Sequence, residues 1–262
     1  MHPAVRLLLS GAYCPESALL FKAMMVQPLP GRKAAYDRFI RTLKLNDIWQ
    51  KLDVLYVLAA HDAQAARLNL VAPASFALAV TGSPVFTVDQ GYAGDGSTAL
   101  LTATGYSPAS VAGSRQTLDS STLGIFTRTA ASYNGSASRI DLYTGTARLG
   151  RRSSAENDYA WRMNDGTSAN TALGGSSGSN QVGHFALRRT ASDERSVWRE
   201  GAQVATNSQA STTLGTGFIL FGVTANFSDA QISVAYAGSS LTDGQMATMN
   251  TAIATLKAAI GF

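Results

Sequence analysis

The stretch AENDYAWRMNDGTSAN, residues 155 to 170, places Tyr159 and Trp161 beside Asn157, Asp158, Arg162, Asn164 and Asp165. Residue types in this mixture suit sugar recognition. An aromatic face stacks on the apolar side of a pyranose, and short amides and carboxylates take its paired hydroxyls. Tyr159, Trp161, Asn164 and Asp165 are therefore candidate glycan-binding residues. Tyr133 and Asn134, just before Gly135, form a second candidate on what reads as an exposed loop tip. Residues 155 to 170 also read without any ligand, as one strand with a buried Trp and an Asn-Asp-Gly hairpin turn, which is the commoner arrangement.

Other chemistries find less support. A Ser-His-Asp site would need one of His2, His61 or His184, yet Gly-x-Ser-x-Gly is absent and none of the three flanks a strained elbow. His61 reads as a helix-cap neighbour. The glycines of GYAGDG, residues 91 to 96, lead into a strand pattern rather than a helix, so they do not form a phosphate-cradling loop. The single cysteine, Cys14, rules out an intramolecular disulfide and a cysteine-based metal site. No catalytic residue, metal or cofactor is assigned.

The elements that must position these residues follow from composition and periodicity. Of 262 residues, 45% are hydrophobic and only 15% charged, with 24 Gly, a balance that favours turn-rich β structure. The net charge of +4 comes with no basic run longer than Arg151-Arg152 or Arg188-Arg189, so the clustered footprint of a nucleic-acid binder is missing. Arg6 before Leu7, Leu8 and Leu9 hints at a signal peptide, but the apolar run is too short and Tyr13 too large for a cleavage site. No stretch approaches the roughly 20 apolar residues of a membrane span, which predicts a soluble chain without membrane insertion.

Residues 1 to 75 read as a small helical segment, with helices over ESALLFKAMM, AAYDRFIRTLKL, IWQKLDVLYVLA and DAQAARLNLV. Residues 76 to 262 read as mainly β. Strands are expected at 121 to 130, 137 to 145, 159 to 164, 217 to 223 and 229 to 238, and in a meander over HFALRRTASDERSVWREGAQVATN that turns at Glu200-Gly201. The segment TALGGSSGSN, 171 to 180, reads as a loop. A C-terminal helix begins at the Thr242-Asp243 cap and lines Met246, Met249, Ile253, Leu256 and Ile260 along one face. The fold class predicted is an antiparallel β-sandwich preceded by helices and closed by a helix.

Several of these segments carry a family resemblance. His184 to Arg188, Trp198 with Gly201, Gln203 to Ala205, and Leu241 to Gln245 follow one another as in the concanavalin A-like jelly roll of the laminin-G type, over roughly residues 80 to 250. The resemblance implies a structural, packed role for His184. It also implies that an enzyme on this sandwich would carry Glu-x-Asp-x-x-Glu, which is absent; Glu156-Asn157-Asp158 and Asp193-Glu194 have no third partner in register. Some members bind calcium, for which Asp89, Asp95 and Asp165 are conceivable ligands, though Asp beside Gly more often forms turns. The front, YDRFIRTLKLNDIWQKLDVLYVLAAHDAQAARLNLVAP, is similar to segments that precede this jelly roll in bacteriophage tail fibre or spike proteins. Together the resemblances imply a non-catalytic virion surface protein, released by lysis, that binds host surface or capsular polysaccharide. The helical segment would attach it to other virion proteins or to symmetry mates in a homo-oligomer. A purely structural decoration or fibre-assembly role is the alternative.

Overall fold

A computed structural model of the chain describes residues 13–132, 139–151, 158–172 and 181–262. Three helices are present among them: α1 (Pro15–Ala23), α2 (Pro30–Leu45) and α3 (Asp243–Ile260). The strands are β1 (Leu52–Val57), β2 (Leu78–Thr81), β3 (Val85–Thr87), β4 (Gly91–Ala93), β5 (Leu100–Ala103), β6 (Ser121–Thr129), β7 (Arg139–Tyr143) and β8 (Arg148–Arg151). They continue as β9 (Asp158–Arg162), β10 (Ala169–Ala172), β11 (Gly183–Ala191), β12 (Glu194–Arg199), β13 (Ala202–Asn207), β14 (Ile219–Leu220) and β15 (Gln231–Gly238).

Two antiparallel sheets make the sandwich. The first runs β13-β12-β11-β6-β15-β4-β3, with β1 also paired to β15; the second runs β10-β9-β8-β7-β14-β5-β2. Strand residues alternate between faces, so the register fixes what each sheet buries. Phe185, Ile125 and Ala235 lie opposite one another across the first sheet and are all buried. Leu101, Leu220, Leu142, Leu149 and Trp161 form the matching buried row of the second. The rings of Tyr159 and Phe185 stack between the sheets at 4.7 Å.

The other face of the first sheet carries Phe126, His184, Trp198 and Tyr236, and the helices cover it. Phe262, just beyond α3, packs edge-on against Phe126 at 5.7 Å. Gly124 has no side chain because the Tyr236 ring occupies that space: an added Cβ would lie 2.2 Å from it. His184 accepts or donates through Nε2 to the Tyr236 hydroxyl at 2.9 Å, and burial pushes its pKa down to about 4. The packed histidine expected from the sequence is what the fold contains. Helix α3 begins with a capping box between Thr242 and Gln245. The β12–β13 hairpin turns at Glu200 (φ +50°) and Gly201 (φ +77°), the two positive dihedrals of a type I′ turn.

The N-terminal part differs from its sequence reading in two elements. IWQKLDVLYVLA was expected as a helix, but its residues form a short 3₁₀ turn, Trp49–Lys51, and then β1. Every residue of β1 is buried, so apart from Asp53 the run is hydrophobic on both faces, and such a run does not distinguish strand from helix by periodicity. DAQAARLNLV likewise yields only the 3₁₀ turn Ala65–Arg67. The expected boundary near residue 75 also does not separate two bodies. Strand β1 pairs with β15 from Leu52 opposite Gly238 to Val57 opposite Val234. Helix α2 packs on α3 through Phe39 and Leu256, within one continuous apolar core. Gln245 donates to the carbonyls of Asn46 and Asp47 at 3.1 and 3.0 Å.

Candidate functional site

Four of the residues singled out for sugar binding are interior. In β9, Tyr159 and Trp161 share the face that meets the first sheet, and each is 1% exposed. The Trp161 indole donates to the Thr171 hydroxyl at 2.8 Å, and the Arg195 guanidinium lies 5.1 Å from its ring. Asn164, at φ +57°, donates to the Leu118 carbonyl at 2.7 Å and the Ser121 hydroxyl at 2.9 Å. The Asp165 carboxylate is fully buried and accepts from Arg195 at 2.6 Å and Arg189 at 3.2 Å. These groups therefore do not present a ligand surface: the buried Trp and Asn-Asp-Gly turn, the alternative reading of this stretch, is the arrangement found. Tyr133 and Asn134 lie outside the described residues.

The Asp165 cluster has a clear architectural task. Arg189 and Arg195 face each other directly in the β11–β12 ladder, where like charges repel. Burial pushes both guanidinium pKa values down, and the Asp165 charge between them opposes that. The carboxylate also accepts from the Thr167 amide at 2.8 Å, so the turn that follows β9 is pinned to the core. That anchoring holds the end of β9, and with it Arg162, in place.

Arg162 points the other way. Beside the buried row of the second sheet runs its outward neighbour, Thr102–Ile219–Tyr143–Arg148–Arg162, set opposite one another across five strands. All five are half-exposed. Arg162 donates to the Gly145 carbonyl at 2.7 Å, in the turn between β7 and β8. No carboxylate of the described residues lies within ion-pair distance of Arg148 or Arg162, and the Nε of each is enclosed without a hydrogen-bond partner. Partial burial lowers the Arg148 pKa, the Arg162 charge lowers it further, and Tyr143 acts in the opposite sense. This face joins an aromatic ring, a hydroxyl and two guanidinium groups, the donor set for stacking and charge-assisted hydrogen bonds.

Sequence reasoning missed this row because β8 was not recognised as a strand. The signal was brief: Arg148-Leu149-Gly150-Arg151 alternates once before residues outside the described set. Without β8, nothing places Arg148 between Tyr143 and Arg162.

Several carboxylates elsewhere are engaged. Asp95 accepts from the amides of Ser97, Thr98 and Ala99, and those bonds hold its carboxyl well below the usual range. Asp89 pairs with Arg32 at 2.5 Å. Asp53 accepts from the amides of Arg115 and Gln116 and from the Tyr106 and Ser114 hydroxyls. Burial pushes Asp141 up to about 7, a value suited to a general acid, but the residue is 1% exposed and accepts from the Ser228 hydroxyl at 2.5 Å. An open cleft of about 600 Å³ lies where β11, β12 and the start of α3 meet. Three of the four charged groups that line it are turned on the protein itself, Glu194 being the exception: Arg188 pairs with Asp243 at 2.5 Å and lies 4.4 Å from the Trp198 ring, and Lys51 donates to the Ser240 carbonyl at 3.1 Å. His61 contacts the Val26 carbonyl at 2.8 Å through Nε2.

No protein-family model and no curated protein matches the chain. Solved structures do. A botulinum neurotoxin serotype D binding domain superposes with a TM-score of 0.54 at 9% identity, over 79% of this chain and 53% of that one. The receptor binding domain of a botulinum neurotoxin C/D mosaic serotype gives 0.56 at 9%, over 78% and 52%. A mutant Trypanosoma rangeli sialidase displaying trans-sialidase activity gives 0.56 at 12%, over 87% and 40%. The chain thus spans about half, or less, of the length of the structures it matches. At these identities the likeness is one of fold, the β-sandwich.

Proposed function

We propose that this chain is a non-catalytic carbohydrate-binding β-sandwich, presented on the surface of a phage or phage-like particle. The observation that carries the reading is the outward row of the second sheet, where half-exposed Tyr143 lies beside Arg148 and Thr102 is two strands away. A half-exposed sheet row with an aromatic ring and donors on either side suits a polysaccharide chain, which binds along a surface rather than inside a cavity. The solved structures with this fold include two named as binding domains of neurotoxins, which agrees with a recognition role without identifying a ligand. The sequence lacks the Glu-x-Asp-x-x-Glu spacing of hydrolases on this sandwich, which argues against glycoside hydrolysis.

The virion setting rests on the sequence resemblance of the helical front and the jelly-roll segments. The helical layer also exposes large apolar side chains: Leu19, Val26 and Leu29 around the α1–α2 connection, Met25 at 82% and Leu45 at 84%. That surface suits attachment to another protein of the particle or to a second copy, and many displayed copies would raise a weak single-site sugar affinity. The test is binding of the purified protein to intact and capsule-stripped cells of a candidate host, beside a Tyr143→Ala variant. Capsule-dependent binding that the variant loses is the expected result. Equal, negligible binding to both cell preparations would refute glycan recognition and leave the structural role.

A further inference from the structure

We infer that Arg148 and Arg162 form an anion subsite that takes the carboxylate or sulfate group of an acidic sugar whose ring lies against Tyr143. The inference rests on the carbohydrate reading above and deepens it to a ligand class. Arg148 stands opposite Tyr143 on one side and opposite Arg162 on the other, in consecutive rungs of the β7–β8–β9 ladder. Directly opposed like charges weaken a sheet. The buried pair Arg189–Arg195 is answered by a carboxylate: Asp165 lies between them. Arg188, Arg32 and Arg115 each have a carboxylate within 4 Å as well. The Arg148–Arg162 pair has none among the described residues. A bound anion would supply what the fold leaves out.

The geometry also selects the kind of anion. Neighbouring strands lie about 4.8 Å apart, so a pyranose resting on Tyr143 projects an exocyclic carboxylate or sulfate over β8 and β9. A guanidinium offers two parallel N–H groups to such an oxyanion, and Arg162 is already oriented by its bond to the Gly145 carbonyl at 2.7 Å. Because Asp165 pins the following turn to the core, the site is set before the ligand arrives.

The test uses the full chain and immobilised oligosaccharides bearing uronic acid, sialic acid or sulfate, each beside its carboxyl-reduced or desulfated form, with free sulfate as a competitor. The wild type is expected to favour charged members at least about tenfold, a preference that declines with salt and that Arg148→Gln and Arg162→Gln each abolish. Tyr143→Ala is expected to weaken charged and neutral members alike. Removing one of two like charges leaves the unfolding midpoint unchanged or raised, which separates lost binding from lost folding. Equal binding of charged and neutral forms, or a preference that survives both Gln variants, would overturn the anion subsite while leaving carbohydrate binding intact. Competition by free sulfate without binding of any sugar would overturn both.

Discussion

Two buried groups, Asp141 and His184, oppose each other in the acid response of this fold, and each should be visible only when the other is removed. Burial raises Asp141 from 3.8 to about 7, so between those values the native chain holds a proton that the unfolded chain has released. Its contribution to stability is fully present below pH 3.8 and is lost as pH rises through about 7. Burial lowers His184 from 6.5 to about 4, so across that interval the unfolded chain binds a proton that the native chain refuses. Stability from this source rises with pH through the same window. At about 1.4 kcal/mol per tenfold change in proton affinity, the two swings are about 4 and about 3 kcal/mol and nearly cancel. Asp141→Asn, whose amide oxygen can still accept from Ser228, should therefore give a protein that gains about 4 kcal/mol relative to wild type as pH rises from 3.8 to 7. His184→Gln should lose about 3 kcal/mol relative to wild type as pH rises from 4 to 6.5. Urea unfolding of the three proteins across this range measures the differences, in which all shared titrations drop out. Profiles of both variants running parallel to the wild type would refute the assigned protonation states.

Other consequences concern the groups once considered for ligand binding and the joint between the two parts of the chain. Asp165→Asn leaves the buried Arg189 and Arg195 facing each other, and a loss of about 3 to 5 kcal/mol in urea unfolding is expected; a loss under about 1 kcal/mol would contradict the ion-pair account. Trp161→Ala should cost about 3 to 5 kcal/mol by the same measurement. At temperatures where that variant remains folded it should keep the wild-type affinity for glycan, because the indole is enclosed; selective loss of binding would return Trp161 to the site. The fragment 76–262 lacks β1 and leaves an edge of β15 and the inner face of α3 uncovered, so it should aggregate or remain unfolded on expression; a soluble, cooperatively folding fragment would show that the helical segment is separable.

Much of the architecture was legible in local pattern. The strands over 121 to 130, 137 to 145 and 229 to 238, the Glu200-Gly201 hairpin and the capped helix at Thr242 all appear where alternation, turn chemistry and capping residues put them. What remained closed was any fact that depends on two segments at once. LDVLYV is buried on both faces because the rest of the fold surrounds it, and nothing within six residues reveals that it does. In DYAWR, periodicity separates Tyr159 and Trp161 from Ala160 and Arg162 but cannot say which set faces the solvent. That choice is made by Phe185 and Thr171, which receive the two aromatic side chains from other strands. The row Tyr143–Arg148–Arg162 is likewise a product of register: its members lie on three strands, and only the ladder's hydrogen bonds bring their side chains to one face. The sequence by itself determined which segments alternate, turn and cap, because those preferences are local. The tertiary structure alone decided which face is wet and which cations meet, because burial and cross-strand contact exist only after distant segments have packed.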